Sequence, residues 1–462
     1  MDVSINVDEV GTMRRAQHFL RAIVSLAMAA MLCATTACGP SNASQSHKAG
    51  GSVDLSAKSH KEQSSPHYRD NYADITPVER KDRALAISDA PAPALESLPQ
   101  GDLADLFLGS DTHGWPENID FTPLVLSDGN ELFGQTTASD ETGQRMSLAA
   151  YDLEDNVFRI VDSVADTGEL DALRILAASE RHAVFEQYNQ DTQRAAYLLF
   201  DIKKRTTSTI LSVEDAPMVR TSAAAISGDG VMINYPANGG DGYKLAFLDF
   251  ATDRLVPVED SFCTSPVHSN DRWYYLLRNL ASQDATLVEL DMAAATKTIV
   301  ASTRGADRYM NDLASNGTTL FIDYVSQHPE QERDSINTLM QVDLKSRQAT
   351  PLFTAHWIES AQASSRWLTW LGDPLEGYGD GRVRPESFVW DLREGRLLRN
   401  EAGSVYLGAN GMAWMAYRHS DGSIAKGALH GNGTTGILFR ADSADDAEGT
   451  DCSADNTGKG GA

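Results

Sequence analysis

The feature that most constrains this chain is an aspartate, set between apolar residues at the end of a strand-like run, that returns at a nearly regular interval. It stands at Asp152, Asp201, Asp249, Asp291, Asp343 and Asp391, at spacings of 49, 48, 42, 52 and 48 residues. A seventh, degenerate copy is read at Leu429-His430-Gly431. A small polar turn precedes each copy, as in Ser127-Asp128-Gly129, Ser227-Gly228-Asp229-Gly230, Ser315-Asn316-Gly317 and Ser364-Ser365-Arg366. Between the turns lie β-rich runs such as Arg272-Trp273-Tyr274-Tyr275-Leu276-Leu277 and Trp367-Leu368-Thr369-Trp370-Leu371. Short strands separated by frequent turn signals mark an all-β fold. Each unit reads as four strands: one before the Ser turn, one after it, a third ending in the Asp and a fourth beyond a tight turn. A four-stranded antiparallel unit repeated every 40 to 50 residues is a propeller blade. The expected fold is a seven-bladed β-propeller between about Phe121 and Phe439. Six blades with an extra cap, or eight using part of residues 77–110, are the alternatives.

The six regular aspartates are assigned a structural role, because a carboxylate at the start of a turn accepts backbone N–H groups. On their Ser-x-Asp-Gly turns the repeats resemble the WD40-like blades of TolB-type propellers carried on bacterial lipoproteins. The resemblance spans about 320 residues, and only the first and third copies keep a clear Ser-Asp-Gly element. It implies a propeller working outside the cytoplasm.

The N-terminus carries its own signal. Arg14, Arg15 and Arg21 precede the apolar stretch Ala22 to Ala34, which runs into Thr35-Thr36-Ala37-Cys38-Gly39. A basic region, a short apolar core and small residues before a cysteine make an export signal too short to span a membrane. They resemble a lipobox, with Cys38 as the lipidated residue. Cleavage after Ala37 without lipidation and a twin-arginine signal are the rivals, and Met13 is the more conventional start. From this follow the expected divisions: signal peptide 1–38, flexible linker 39–100, propeller 101–440 and acidic tail 441–462. The linker assignment rests on its Ser, Ala, Pro and Lys content without sustained apolar period. The expected location is the outer face of the cell membrane, held by lipid.

Composition narrows the function. With 39 Lys+Arg against 65 Asp+Glu the formal net charge is -26, which disfavours nucleic acid as a partner. The chain is 42% hydrophobic and 23% charged, as expected for a folded body. Its four cysteines show no CxxC or His/Cys cluster, so neither metal nor cofactor is expected. Cys263 reads as a buried free thiol, and its pairing with Cys452 stays open. There is no GxSxG elbow, and the GxGxxG at Gly431–Gly436 lacks the following helix that phosphate binding needs.

The expected ligand face lies over the channel, at the starts of the innermost strands. Its candidates are Arg220, Arg308, Tyr309, Asn311, His356, Trp357, Glu359 and Tyr406, with Arg382 and Arg384 on a long loop of the blade that holds His356. No catalytic residue is assigned. The first functional reading is a monomeric binding platform for an envelope protein or glycan. A carbohydrate-active hydrolase or lyase using acid and base carboxylates and a solute-binding accessory of a transporter are the alternatives.

Overall fold

The computed structural model describes residues 68–107, 112–113, 121–127, 131–140, 143–155, 157–161, 172–189, 191–217, 222–237, 242–279, 281–282, 284–305, 308–327, 335–372, 386–400, 404–408, 411–419 and 433–441. All of them belong to one compact unit, Pro66–Ala462. An N-terminal segment contributes the short strands β1 (Val78–Glu79), β2 (Ala86–Ile87), β3 (Gln100–Asp102) and β4 (Thr112–His113), with one helical turn at Leu103–Leu106.

The repeats then follow in chain order. The first sheet is β5 (Phe121–Leu126), β6 (Glu131–Asp140), β7 (Gly143–Asp152) and β8 (Val157–Ile160). The second is β9 (Ala172–Ala178), β10 (His182–Asn189), β11 (Arg194–Asp201) and β12 (Thr206–Val213). The third is β13 (Ala223–Ile226), β14 (Gly230–Pro236), β15 (Tyr243–Asp249) and β16 (Arg254–Glu259). The fourth is β17 (Cys263–Ser269), β18 (Arg272–Asn279), β19 (Asp284–Asp291) and β20 (Thr296–Thr303). The fifth is β21 (Arg308–Ser315), β22 (Leu320–Gln327), β23 (Ser335–Asp343) and β24 (Gln348–Ala355). The sixth is β25 (Glu359–Ala363), β26 (Trp367–Gly372), β27 (Glu386–Asp391) and β28 (Arg396–Asn400). The last holds β29 (Ser404–Gly408), β30 (Gly411–His419) and β31 (Gly433–Ala441).

Within each sheet the strands lie in sequence order and pair antiparallel, and seven such sheets form among the described residues. The first strands of the first six sheets pack in succession, β5 on β9, β9 on β13, β13 on β17, β17 on β21 and β21 on β25, and β29 packs on β26 of the sixth sheet and back on β5. This is an all-β propeller, with the first strands around the axis. Apolar clusters fill the wedges between sheets, as where Tyr274 and Leu276 of the fourth meet Ile322 and Tyr324 of the fifth. Alternation along each strand supplies a packing surface on both faces, which a sheet enclosed by neighbours on two sides requires.

The third strand ends on the recurrent Asp in each of the first six sheets. Asp152, Asp201, Asp249, Asp291, Asp343 and Asp391 each accept a backbone N–H from two or three residues on, at 2.8 to 3.2 Å. The chain then turns through a left-handed residue four positions after the Asp, namely Arg205, Asp253, Ala295, Arg347 and Gly395. At the neighbouring hairpin on the same end of the strands, the Ser of five turns works in the same way: the hydroxyls of Ser127, Ser179, Ser227, Ser315 and Ser364 accept nearby N–H groups. The seventh copy differs from expectation. β31 runs to Ala441, paired Gly411 to Ala441, so the strand does not end at Leu429–Gly431. The apolar-Asp step that continues the period is Ala441-Asp442, 51 residues after Asp391. Of the GxGxxG, Gly433 to Gly436 are strand, and the rest lies outside the described residues.

The linker expected over 39–100 is corrected from Tyr68 onward. This part is a strap around the outside of the ring. β1, β2 and β3 add parallel to the outer strands β20, β24 and β28, and β4 pairs antiparallel with β31. The last sheet therefore takes its fourth strand from the N-terminal side of the chain, which fastens the two ends of the propeller together. Tyr72, Leu95, Leu103 and Phe107 are fully buried, and each such anchor contributes about 2 kcal/mol. Arg83 of the strap and Arg347 of β23–β24 both pair with the buried Glu289, which also accepts from Tyr274. Sequence reading missed the strap because its anchors dock singly in separate grooves, which leaves no periodicity to detect. Residues 39–67, Cys38 and the 442–462 tail lie outside the described residues.

Candidate functional site

Among the described residues, five inner strands carry a β-bulge: β5, β9, β17 between Thr264 and Val267, β21 between Met310 and Asp312, and β25 between Glu359 and Gln362; the last three meet in one polar cluster. Ser265 and Ser360, at φ of 52° and 55°, sit in two of them. A bulge re-aims a side chain and frees a ladder carbonyl. Here the freed groups meet polar side chains of the neighbouring sheets.

At the centre is Asp323 of β22, 1% exposed. Asn311 donates to it at 2.9 Å, and the buried Asn337 donates to both its oxygens at 2.9 Å. Asp312 stands directly opposite Asp323 across the β21–β22 ladder and accepts from Ser265 Oγ at 2.5 Å and from Leu313 N at 2.9 Å. Arg278, at the end of β18, donates to Thr264 Oγ1 at 3.1 Å and to the backbone oxygen of Asn311. Glu359 opens β25, half-buried, with Asp312 as its charged neighbour.

The electrostatics follow from enclosure. Burial, opposed by the two amides and reinforced by Asp312, raises the Asp323 carboxyl to about 7. Burial also pushes up the carboxyls of Asp312 and Glu359, the latter helped by the charge of Asp312. It lowers the guanidinium of Arg278 and raises the phenol of Tyr309. The cluster thus joins three carboxyl groups that resist ionisation, one arginine and two amides. It can hold or release a proton near neutral pH and offers hydrogen-bonding groups of both kinds. Among the described residues no group of His, Cys, Asp and Glu is disposed to hold a metal ion.

Of the sequence candidates, Tyr309, Asn311 and Glu359 fall in this cluster. Arg308 turns instead across the Tyr324 ring, 5.2 Å from its centroid, toward Asp89 of the strap. His356 is exposed and Trp357 half-buried, just before β25. Tyr406 is buried, and its hydroxyl donates to Pro123 O across the junction of the last and first sheets, at 3.1 Å. It belongs to a series of ties between sheets that includes Asn234 to Cys263 O and Arg174 to Ser222 O. Arg220, Arg382 and Arg384 lie outside the described residues. Asp312, Asp323, Asn337, Arg278 and Ser265 were not foreseen. Asp323 left one signal, as an acid inside the apolar run Leu320-Phe321-Ile322-Asp323-Tyr324-Val325.

No family model and no curated protein matches this sequence. Solved structures align with it at low identity. The β-propeller domain of the Trilobed protease from Pyrococcus furiosus is 9% identical, covering 71% of this chain and 96% of that one with a TM-score of 0.45. An oligogalacturonate lyase from Vibrio parahaemolyticus is 11% identical over 71% and 92%, TM-score 0.44. TolB from Acinetobacter baumannii is 11% identical over 77% and 95%, TM-score 0.37. The class of protein, a β-propeller closed by an N-terminal strap, is set by the sheet order of this chain itself.

Proposed function

We propose that this chain is an exported lipoprotein, anchored through Cys38, whose seven sheets are the blades of a binding platform for an envelope protein or glycan. The observation behind this reading is where the first described residues of the strap dock. Tyr68 donates to Asp229 at 2.9 Å, Asp70 pairs with Arg254 at 2.7 Å, and Tyr72 donates to Met292 O at 2.8 Å. These partners belong to the hairpins at one end of the strands. The Arg278–Asp312–Asp323–Glu359 cluster lies at the other end, by the starts of the inner strands. The polar cluster and the docking end of Tyr68–Tyr72 are thus opposite ends of the strands.

Two experiments test this. Cys38→Ser should move the protein from the membrane fraction to the soluble fraction; unchanged retention removes the lipid anchor from the account. Crosslinking in intact cells should capture a partner whose yield falls with Asn311→Ala or Glu359→Gln, and equal yield from both variants overturns the assignment of the face. The carboxylate cluster favours a second reading, a carbohydrate-active hydrolase or lyase. Turnover of any member of a glycan panel that disappears in a folded Asp323→Asn variant would select it.

A further inference from the structure

Sheets fan apart toward the rim of a propeller, and between the fourth and fifth the strap bridges the opening. Its residues Ser88–Ala92 roof a cavity of about 200 Å³ whose other walls are Arg308, Thr338, Met340, Pro351 and Thr354. The register explains the grouping. Tyr324, Thr338 and Thr354 are successive cross-strand neighbours on β22, β23 and β24, and Met340 faces Pro351 one step along. Pro351 and Pro91 offer a small apolar surface backed by the fully buried Met340, while Ser88, Thr338 and Thr354 bring hydroxyls. The hydroxyl of Tyr324, in the same row and 1% exposed, is buried without a hydrogen-bond partner.

Arg308 is the one cation among these lining residues. Its guanidinium lies over the Tyr324 ring and meets Asp89 Oδ1 at 3.4 Å. That contact is long for a charge-assisted bond, and the Asp89 side chain is 89% exposed. The strap thus already sets a carboxylate against Arg308, but holds it loosely. We propose that this cavity is a binding site for a small monocarboxylate, which replaces Asp89 at the Arg308 guanidinium and lays a short apolar body against Pro351 and Pro91. A planar carboxylate matches the donor fork of arginine, and the volume admits only a small body. The strap supplies one wall, so the site exists only while the strap is docked. It is separate from the cluster at the inner strands and does not depend on the platform reading.

The test titrates the full-length protein with benzoate, and with benzamide as its neutral isostere, by calorimetry. Benzoate should bind saturably and benzamide should not. Arg308→Met should weaken benzoate at least about tenfold, the cost of a lost charged hydrogen bond. Asp89→Asn should strengthen it about fivefold, because the competing exposed ion pair is gone. Asp89 is exposed, so this variant keeps the test valid even if Arg308→Met lowers stability. Equal binding of benzamide, indifference to either substitution, or no saturable binding by both wild type and Asp89→Asn would overturn the proposal.

Discussion

The repeated aspartate does one job in six places at very different cost. Asp391 is fully buried and its second oxygen pairs with Arg366 at 3.0 Å, an arginine whose side chain is only 10% exposed. Asp343 is exposed and bonds only within its own turn, to Lys345 and Ser346. Asp391→Ala should therefore cost about 3 kcal/mol, since it strands a buried charge, whereas Asp343→Ala should cost about 1 kcal/mol. Denaturant unfolding of both variants checks the contrast. The left-handed turn residue gives a second prediction. Gly395 adopts φ 62° without a Cβ, whereas Ala295 carries φ 50° with one, so Ala295→Gly should stabilise by about 0.5–1 kcal/mol, visible as a raised melting temperature. A third concerns Asp323, whose folded carboxyl lies near 7 against an unfolded value of about 3.9. Between these pH values the native state binds the proton more tightly, so its stabilising contribution is complete below about 4 and lost as pH rises through 7. Asp323→Asn removes this loss, and the stability of the variant relative to wild type should rise from pH 5 to pH 8. A difference independent of pH would contradict the assignment.

Among the elements, the strap changes the picture most. A chain starting at Tyr68 should melt with the full-length protein, whereas one starting at Phe121 loses the anchors Tyr72, Leu95, Leu103 and Phe107 and the closing strand β4. At about 2 kcal/mol per anchor, the shorter chain should melt far lower or fail to fold cooperatively. Thermal unfolding of both truncations distinguishes a strap from a free linker. The closing tie from Tyr406 to Pro123 O is smaller in scale: Tyr406→Phe should cost about 1 kcal/mol and leave partner capture unchanged. The pattern of the strands was legible because alternation and turn chemistry are local. The strap was not, because single residues docking into grooves between distant sheets leave no local pattern, and a Pro- and Ser-rich composition reads the same whether free or held.

For the whole molecule, the fold comes from repetition and the site from contacts between neighbouring repeats. The Ser turn, the Asp turn and the apolar alternation lie within single repeats, so the sequence alone determined an all-β propeller, its strand order and the hairpins that punctuate it. It also placed Tyr309, Asn311 and Glu359 on the right end of the inner strands, since the position of a strand start follows from the turns. It could not pair Asp312 with Asp323, bring Asn337 to the same carboxylate, or aim Arg278 at the backbone of the next sheet. Those meetings depend on bulges in β17, β21 and β25 and on how neighbouring sheets stack, and neither is written in the spacing of residues along one strand. The strap is the same case at a larger scale. Which edges are covered, and how the two ends of the propeller are fastened, are set by contacts between residues far apart in the chain, and only the tertiary structure decides them.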